Sequence, residues 1–155
     1  MPALAENVIT FLPGARRVNT GPLESVAREF GWVVDRATDL REIAALRKWR
    51  RPVALFVFRD ALGPDYSWLE AIRLLRLTLP DVRLIACHEF SEAVDWPALC
   101  DAGAFHEIHL PLQENELHQC LGFVWEAEKR LVESEASDLR LPAASRRLEL
   151  LALPA

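Results

Sequence analysis

Arg51-Pro-Val-Ala-Leu-Phe-Val-Phe58 is an apolar, β-branched and aromatic run with no polar alternation, and it reads as a strand covered on both faces. Val82-Arg-Leu-Ile-Ala-Cys87 is a second run of this kind. Strands buried on both sides belong to parallel sheets, whose crossover helices lie above and below. Between the two runs, Ser67 and Glu70 form an S-x-x-E capping pair. The pair opens a helix through Leu69, Ile72 and Leu75 that Pro80 ends. After the second run, Pro97 opens a short helix closed by Gly103, and Glu107-Ile-His-Leu110 reads as a brief strand stopped by Pro111.

The same grammar extends toward the N-terminus. Val8-Ile-Thr-Phe-Leu12 is a short buried strand closed by the turn pair Pro13-Gly14. Pro22 begins a helix with Leu23, Val26, Ala27 and Phe30 at helical spacing, stopped by Gly31. Trp32-Val-Val34 is the next strand, and Asp39 with Glu42 caps a helix carrying Leu40, Ile43, Ala44 and Leu46. Leu117, Leu121, Val124 and Leu131 mark the stripe of a final helix ending near Ser134. Five strands alternating with five helices predict a doubly wound α/β fold with a five-stranded parallel sheet. The reading divides the chain into a domain over 1–134 and a tail over 135–155. In the tail, linker-like Glu135-Ala-Ser-Asp138 precedes the apolar ends Leu139-Arg-Leu-Pro142 and Arg146–Leu153.

Composition narrows the classes of function. A chain of 155 residues, 51% hydrophobic, buries a core without staples. A formal charge of −5 argues against nucleic acid as partner, because phosphate contacts need a clustered positive face. The only dense basic run, Arg47-Lys-Trp-Arg-Arg51, falls at a predicted helix end, where cations suit the dipole and stay solvated. No apolar run reaches the ~20 residues that span a bilayer. Met1-Pro-Ala-Leu-Ala-Glu6 lacks the basic and apolar regions of a secretion signal. Cys87, Cys100 and Cys120 are odd in number and scattered, which fits reduced thiols and a cytoplasmic location.

The stretch from Pro80-Asp-Val-Arg-Leu-Ile85 through Ala102-Gly-Ala104 to Leu110-Pro111 resembles the bacterial response-regulator receiver family in order and spacing, and a looser likeness covers residues 7 to 133. The resemblance implies the flavodoxin-like strand order 2-1-3-4-5, with a functional crevice at the C-terminal ends of strands one and three. In the family, that crevice holds a phosphate-accepting aspartate, an acidic pair for Mg²⁺, a Ser or Thr, and a lysine. The matching positions here are Phe58, the strand end at Leu12, His88 and Leu110. Without carboxylate ligands, acceptor or counter-charge, phosphoryl transfer loses the electrostatics on which it rests. Asp60, two residues past Phe58, is an off-register acceptor candidate that would share its side of a continuing strand. His88 and Glu107 stand where the family has its switch pair; if both lie at the same sheet edge they can form an imidazole–carboxylate hydrogen bond, and otherwise they are two exposed polar residues that never meet.

Other chemistry is thinly supported. His106 and His109 lie on opposite faces of one strand, and no C-x-x-C or H-E-x-x-H occurs, so no metal site is expected, although His88 and His109 can both reach the same sheet edge. Pro13-Gly-Ala-Arg-Arg17 lacks the spacing of a dinucleotide loop, and no cofactor is implied. The resemblance implies a non-enzymatic, phosphorylation-independent module of bacterial signal transduction that binds a protein partner or a second copy. Its helix 4–strand 5–helix 5 face would use Trp96, Phe105 and Trp125, with the other tryptophans mostly structural. The alternative is a small enzyme or ligand-binding protein using the edge around His88, Glu107 and His109.

Overall fold

The computed structural model describes residues 6–14 and 17–140. Their elements run β1 (Glu6–Leu12), α1 (Gly21–Glu29), β2 (Val33–Arg36), α2 (Leu40–Leu46) and β3 (Arg50–Val57). A 3₁₀ turn (Arg59–Leu62) then leads to α3 (Trp68–Thr78), β4 (Arg83–His88), α4 (Trp96–Ala102), β5 (Ala104–His109) and α5 (Glu114–Arg140). Every strand pair is parallel, and the order across the sheet is β2-β1-β3-β4-β5, as the resemblance implies.

Local chemistry starts the helices. The Asp39 carboxylate accepts the Glu42 N–H at 2.9 Å, and Ser67 accepts the Glu70 N–H at 3.1 Å. Glu42 reaches one residue further back than a capping box requires, taking the Thr38 N–H at 2.9 Å and its hydroxyl at 2.6 Å. Those two bonds hold the Glu42 carboxyl below its usual range. Asp95, unmarked in the sequence reading, caps α4 by accepting the Ala98 N–H at 3.2 Å. Gly103 ends that helix at φ 115°, and a Cβ there would stand 2.7 Å from the Arg76 side chain.

Burial follows the two faces of the pleated sheet. Ile9, Phe11, Phe56, Phe58, Ile85 and Cys87 pack with Leu23 and Val26 of α1 and Leu117, Leu121 and Val124 of α5. Leu12, Leu55, Val57, Leu84 and Ala86 pack on the other side with Ile43, Ile72, Leu75 and Leu99. Each fully buried Val, Leu, Ile or Phe among them contributes about 1.5–3 kcal/mol of hydrophobic stabilisation. Two bulges interrupt the ladders. Pro52, which has no N–H to donate, pairs with Val8 while Ala54 pairs with Ile9, leaving Val53 extra. Between β4 and β5, Leu84 pairs with Ala104 but Ile85 pairs with His106, leaving Phe105 extra.

Several expectations are corrected. β5 begins at Ala104, not Glu107, because the Gly103 turn feeds straight into the strand. The final helix does not end near Ser134; it continues to Arg140, since Glu135-Ala-Ser-Asp138 contains no breaker and Pro142 is the first. The expected boundary at 134/135 therefore falls within a helix. The chain forms two compact units that meet in sequence between Val124 and Trp125, the first holding the sheet and the second beginning within α5. Met1–Ala5 and the tail motifs from 141 onward lie outside the described residues. The basic run is not simply solvated, because Arg50 belongs to β3 and pairs with Asp35, which raises the Arg50 pKa, while Arg47 lies 3.8 Å from Asp81.

Candidate functional site

The crevice at the C-terminal ends of β1 and β3 is occupied by rings. Phe58, directly after β3, is 1% exposed, and its N–H donates to the Leu12 carbonyl at 3.4 Å. Its ring meets that of Phe11 edge to face, with centroids 5.6 Å apart and planes at 81°. The register decides this. Phe11 pairs with Phe56, so Phe58, two residues on, faces the same side, while Leu12 turns to the opposite core. Phe11 is thus the partner that the sequence reading missed, and pleat parity carried the signal. Leu110 is half-buried against the Phe58 side of the sheet, its N–H donates to the His88 carbonyl at 2.9 Å, and the Leu110–Pro111 peptide is cis.

Asp60 does not sit on a continuing strand. β3 ends at Val57, and the 3₁₀ turn sets the Asp60 carboxylate beside the exit of β1. A Cβ on Gly14, at φ 66°, would stand 3.0 Å from Asp60 Oδ1, so only glycine fits that approach. Nearby, a cavity of about 800 Å³ is lined by Arg17, Asn19, Glu89, Phe90, Leu110 and Pro111.

The β4 and β5 ends form the polar part of the edge. His88 and His109 are paired across the strands, as are Ala86 and Glu107, so the two histidines and Glu107 share one face. His88 Nε2 lies 2.8 Å from Glu107 Oε2, while His88 Nδ1 lies 3.1 Å from the Glu89 carbonyl oxygen. The His88 and His109 ring centroids are 4.7 Å apart, and Trp68 meets His88 edge-on at 6.3 Å. Glu116 at the start of α5 takes the His109 N–H at 2.7 Å and lies 3.1 Å from its Nδ1. Phe90, which the sequence reading passed over, is 80% exposed and stacks on His109 at 4.0 Å.

The remaining candidates divide by exposure. Trp96 is half-buried against the α3–α4 side of the sheet, and Phe105 is half-buried on the α5 side with Arg83 over its ring at 5.8 Å. Trp125 is exposed, with the Lys129 ammonium 5.1 Å from its ring. Phe123 is half exposed and meets His106 edge-on at 5.6 Å. Trp49 is 70% exposed, contrary to its expected structural role. Burial lowers the His106 pKa and pushes the Cys87 and Cys120 thiols far up, while Cys100 is exposed. No helix among the described residues is long and apolar enough to cross a membrane.

No family model matches the chain, and no curated protein matches it. Solved structures do. A response regulator from Thermotoga maritima aligns with a TM-score of 0.61 at 18% identity, over 79% of this chain and 99% of that one. A two-component response regulator from Clostridium difficile aligns at 0.57 and 13% identity, over 77% and 96%. NtrX from Brucella abortus in complex with ATP aligns at 0.61 and 19% identity, over 91% of this chain, which spans 33% of the NtrX chain. At these identities the likeness shows the fold, and the fold is that of response-regulator receivers.

Proposed function

We propose that this receiver fold serves bacterial signal transduction as a protein–protein interaction module that works without phosphorylation. One observation carries the reading. The acceptor position is Phe58, a buried ring locked against Phe11, and the counter-charge position is Leu110. A phosphoryl group there would meet aromatic and aliphatic carbon where the reaction needs an oxygen nucleophile, a cation and a hard metal. What remains useful is a standing surface. The α4–β5–α5 side, with Trp96, Phe105 and exposed Phe123, is the face on which we place a protein partner or a second copy, and net negative charge argues against nucleic acid there. The location consistent with this role is the cytoplasm.

The test is incubation of the full chain with Mg²⁺ and acetyl phosphate, followed by intact-mass measurement. The mass should stay unchanged. A stoichiometric, acid-labile phosphate that disappears in Asp60→Asn would overturn the proposal and assign Asp60 as acceptor.

A further inference from the structure

We propose that His88, Glu107 and His109 form a binding site for one divalent transition-metal ion of the Zn²⁺ class. One ligand atom from each residue lies within 4.8 Å of the others, on one face of the sheet where β4 and β5 end. Bonds to nitrogen and carboxylate oxygen in such a shell are ~2.0–2.1 Å, so the three atoms would have to rearrange around the ion as it binds.

Hydrogen-bond logic points to a cation. His88 Nδ1 faces the Glu89 carbonyl, which only accepts, so this nitrogen carries the proton. In the neutral ring, Nε2 then presents a lone pair, yet it faces the Glu107 carboxylate at 2.8 Å, another acceptor. Two acceptors at that distance need a proton, on the ring or on the carboxyl, or a metal ion between them. His109 is prepared in the same sense. Glu116 faces its Nδ1 and leaves Nε2 with the lone pair, which is the carboxylate–histidine arrangement that orients metal ligands. Two histidines arrive with their Nδ1 hydrogens already engaged by acceptors, and a carboxylate stands beside them.

The donor set selects the ion. Two imidazoles and one carboxylate suit Zn²⁺ and its first-row neighbours, whereas Mg²⁺ prefers an all-oxygen octahedron. The His88 side chain is 6% exposed, while those of Glu107 and His109 are 25% and 26% exposed, so the fourth position opens to water or an added ligand. His88 is one of the crevice positions, but the three ligands lie on the face of the sheet opposite Phe11 and Phe58, so the proposal does not depend on the phosphorylation reading. It replaces the expectation that this edge holds no metal.

Calorimetric titration of the chelator-treated full chain with Zn²⁺ tests the proposal, with Co²⁺ as an optical probe of four-coordinate geometry. The expected result is one saturable equivalent and a visible Co²⁺ d–d band, with no competition from millimolar-range Mg²⁺. Glu107→Gln and His109→Gln should each weaken Zn²⁺ by about 100-fold or more, and Glu116→Gln by about 10-fold or more, as lost ligands and orienting groups do. His118→Gln and Cys100→Ser should bind as wild type does. Far-ultraviolet circular dichroism establishes that each variant is folded, and either ligand variant suffices if the other is not. Absence of saturable binding overturns the proposal. So does binding that survives both ligand substitutions, or binding lost in Cys100→Ser.

Discussion

Replacing Phe58 probes whether the former acceptor position has become core. The ring is 1% exposed and shares an edge-to-face contact with Phe11 at 5.6 Å. Truncating a buried phenylalanine costs about 3–5 kcal/mol, and an aromatic pair accounts for roughly 0.5–1.5 kcal/mol beyond area burial. Phe58→Leu keeps most of the volume and should cost about 1 kcal/mol, whereas Phe58→Ala should cost ~3–5 kcal/mol. Phe58→Asp should cost at least as much as Ala, because a carboxylate in this core must be desolvated or protonated. Its folded-state pKa would be raised, so the penalty is smallest below the ordinary aspartate value of about 4 and grows as pH rises. Domains of this size hold only ~5–15 kcal/mol in total, so the Asp variant should lie near the edge of folding at neutral pH. Urea unfolding followed by tryptophan fluorescence at several pH values measures the series. A double-mutant cycle with Phe11→Leu and Phe58→Leu should return about 0.5–1.5 kcal/mol of coupling. A Phe58→Asp variant as stable as wild type at neutral pH, with no coupling to Phe11, would refute the reasoning.

Light scattering should find self-association of the wild type at high concentration, weakened by Phe123→Ser and by Trp96→Ala; a wild-type monomer at every concentration refutes homodimerisation through this face. His118, bonded to Glu29 and to the Glu114 carbonyl, has its pKa raised above 6.5. Its contribution to stability is therefore full below that value and fades as pH rises through the folded-state pKa, so His118→Gln should destabilise the protein at pH near 6 but not in alkaline buffer; equal loss at both would exclude a charge-linked role. A thiol reagent at neutral pH should modify one cysteine, exposed Cys100, and all three only in denaturant, since Cys87 and Cys120 are buried with raised pKa values. Rapid labelling of two or more thiols in the native protein would contradict that burial.

Much of the fold was legible because it is locally encoded. Apolar runs without alternation marked β3 and β4, and Asp39 and Ser67 announced helix starts through bonds spanning three residues. Gly103 announced a helix end through a backbone angle that other residues rarely adopt. Right-handed crossovers predicted a doubly wound parallel sheet, but the strand order itself came from the receiver resemblance, because the order of elements also fits other five-stranded α/β sheets. Where only propensity spoke, the reading slipped. Glu135-Ala-Ser-Asp138 resembles a linker in composition, yet nothing in it stops a helix already propagating.

The site was legible in its losses and only partly in its contacts, since the His88–Glu107 pair was suggested by the switch positions and the Phe11–Phe58 pair was not. That Phe58 and Leu110 stand where an acceptor and a cation belong is a statement about residue types, and sequence alone carries it. Which ring Phe58 meets depends on the β1–β3 register, because a strand's side chains alternate faces and one step exchanges Phe11 for Leu12. The same physics governs the histidine edge. Continuing the pairing of Leu84 with Ala104 without interruption would set His88 opposite Ile108. The bulge at Phe105 advances β5 by one residue, bringing His109 opposite His88 and Glu107 onto the same face. A single unpaired residue in a ladder is a tertiary decision, and it sets the register that brings together an edge whose members the switch positions had already suggested.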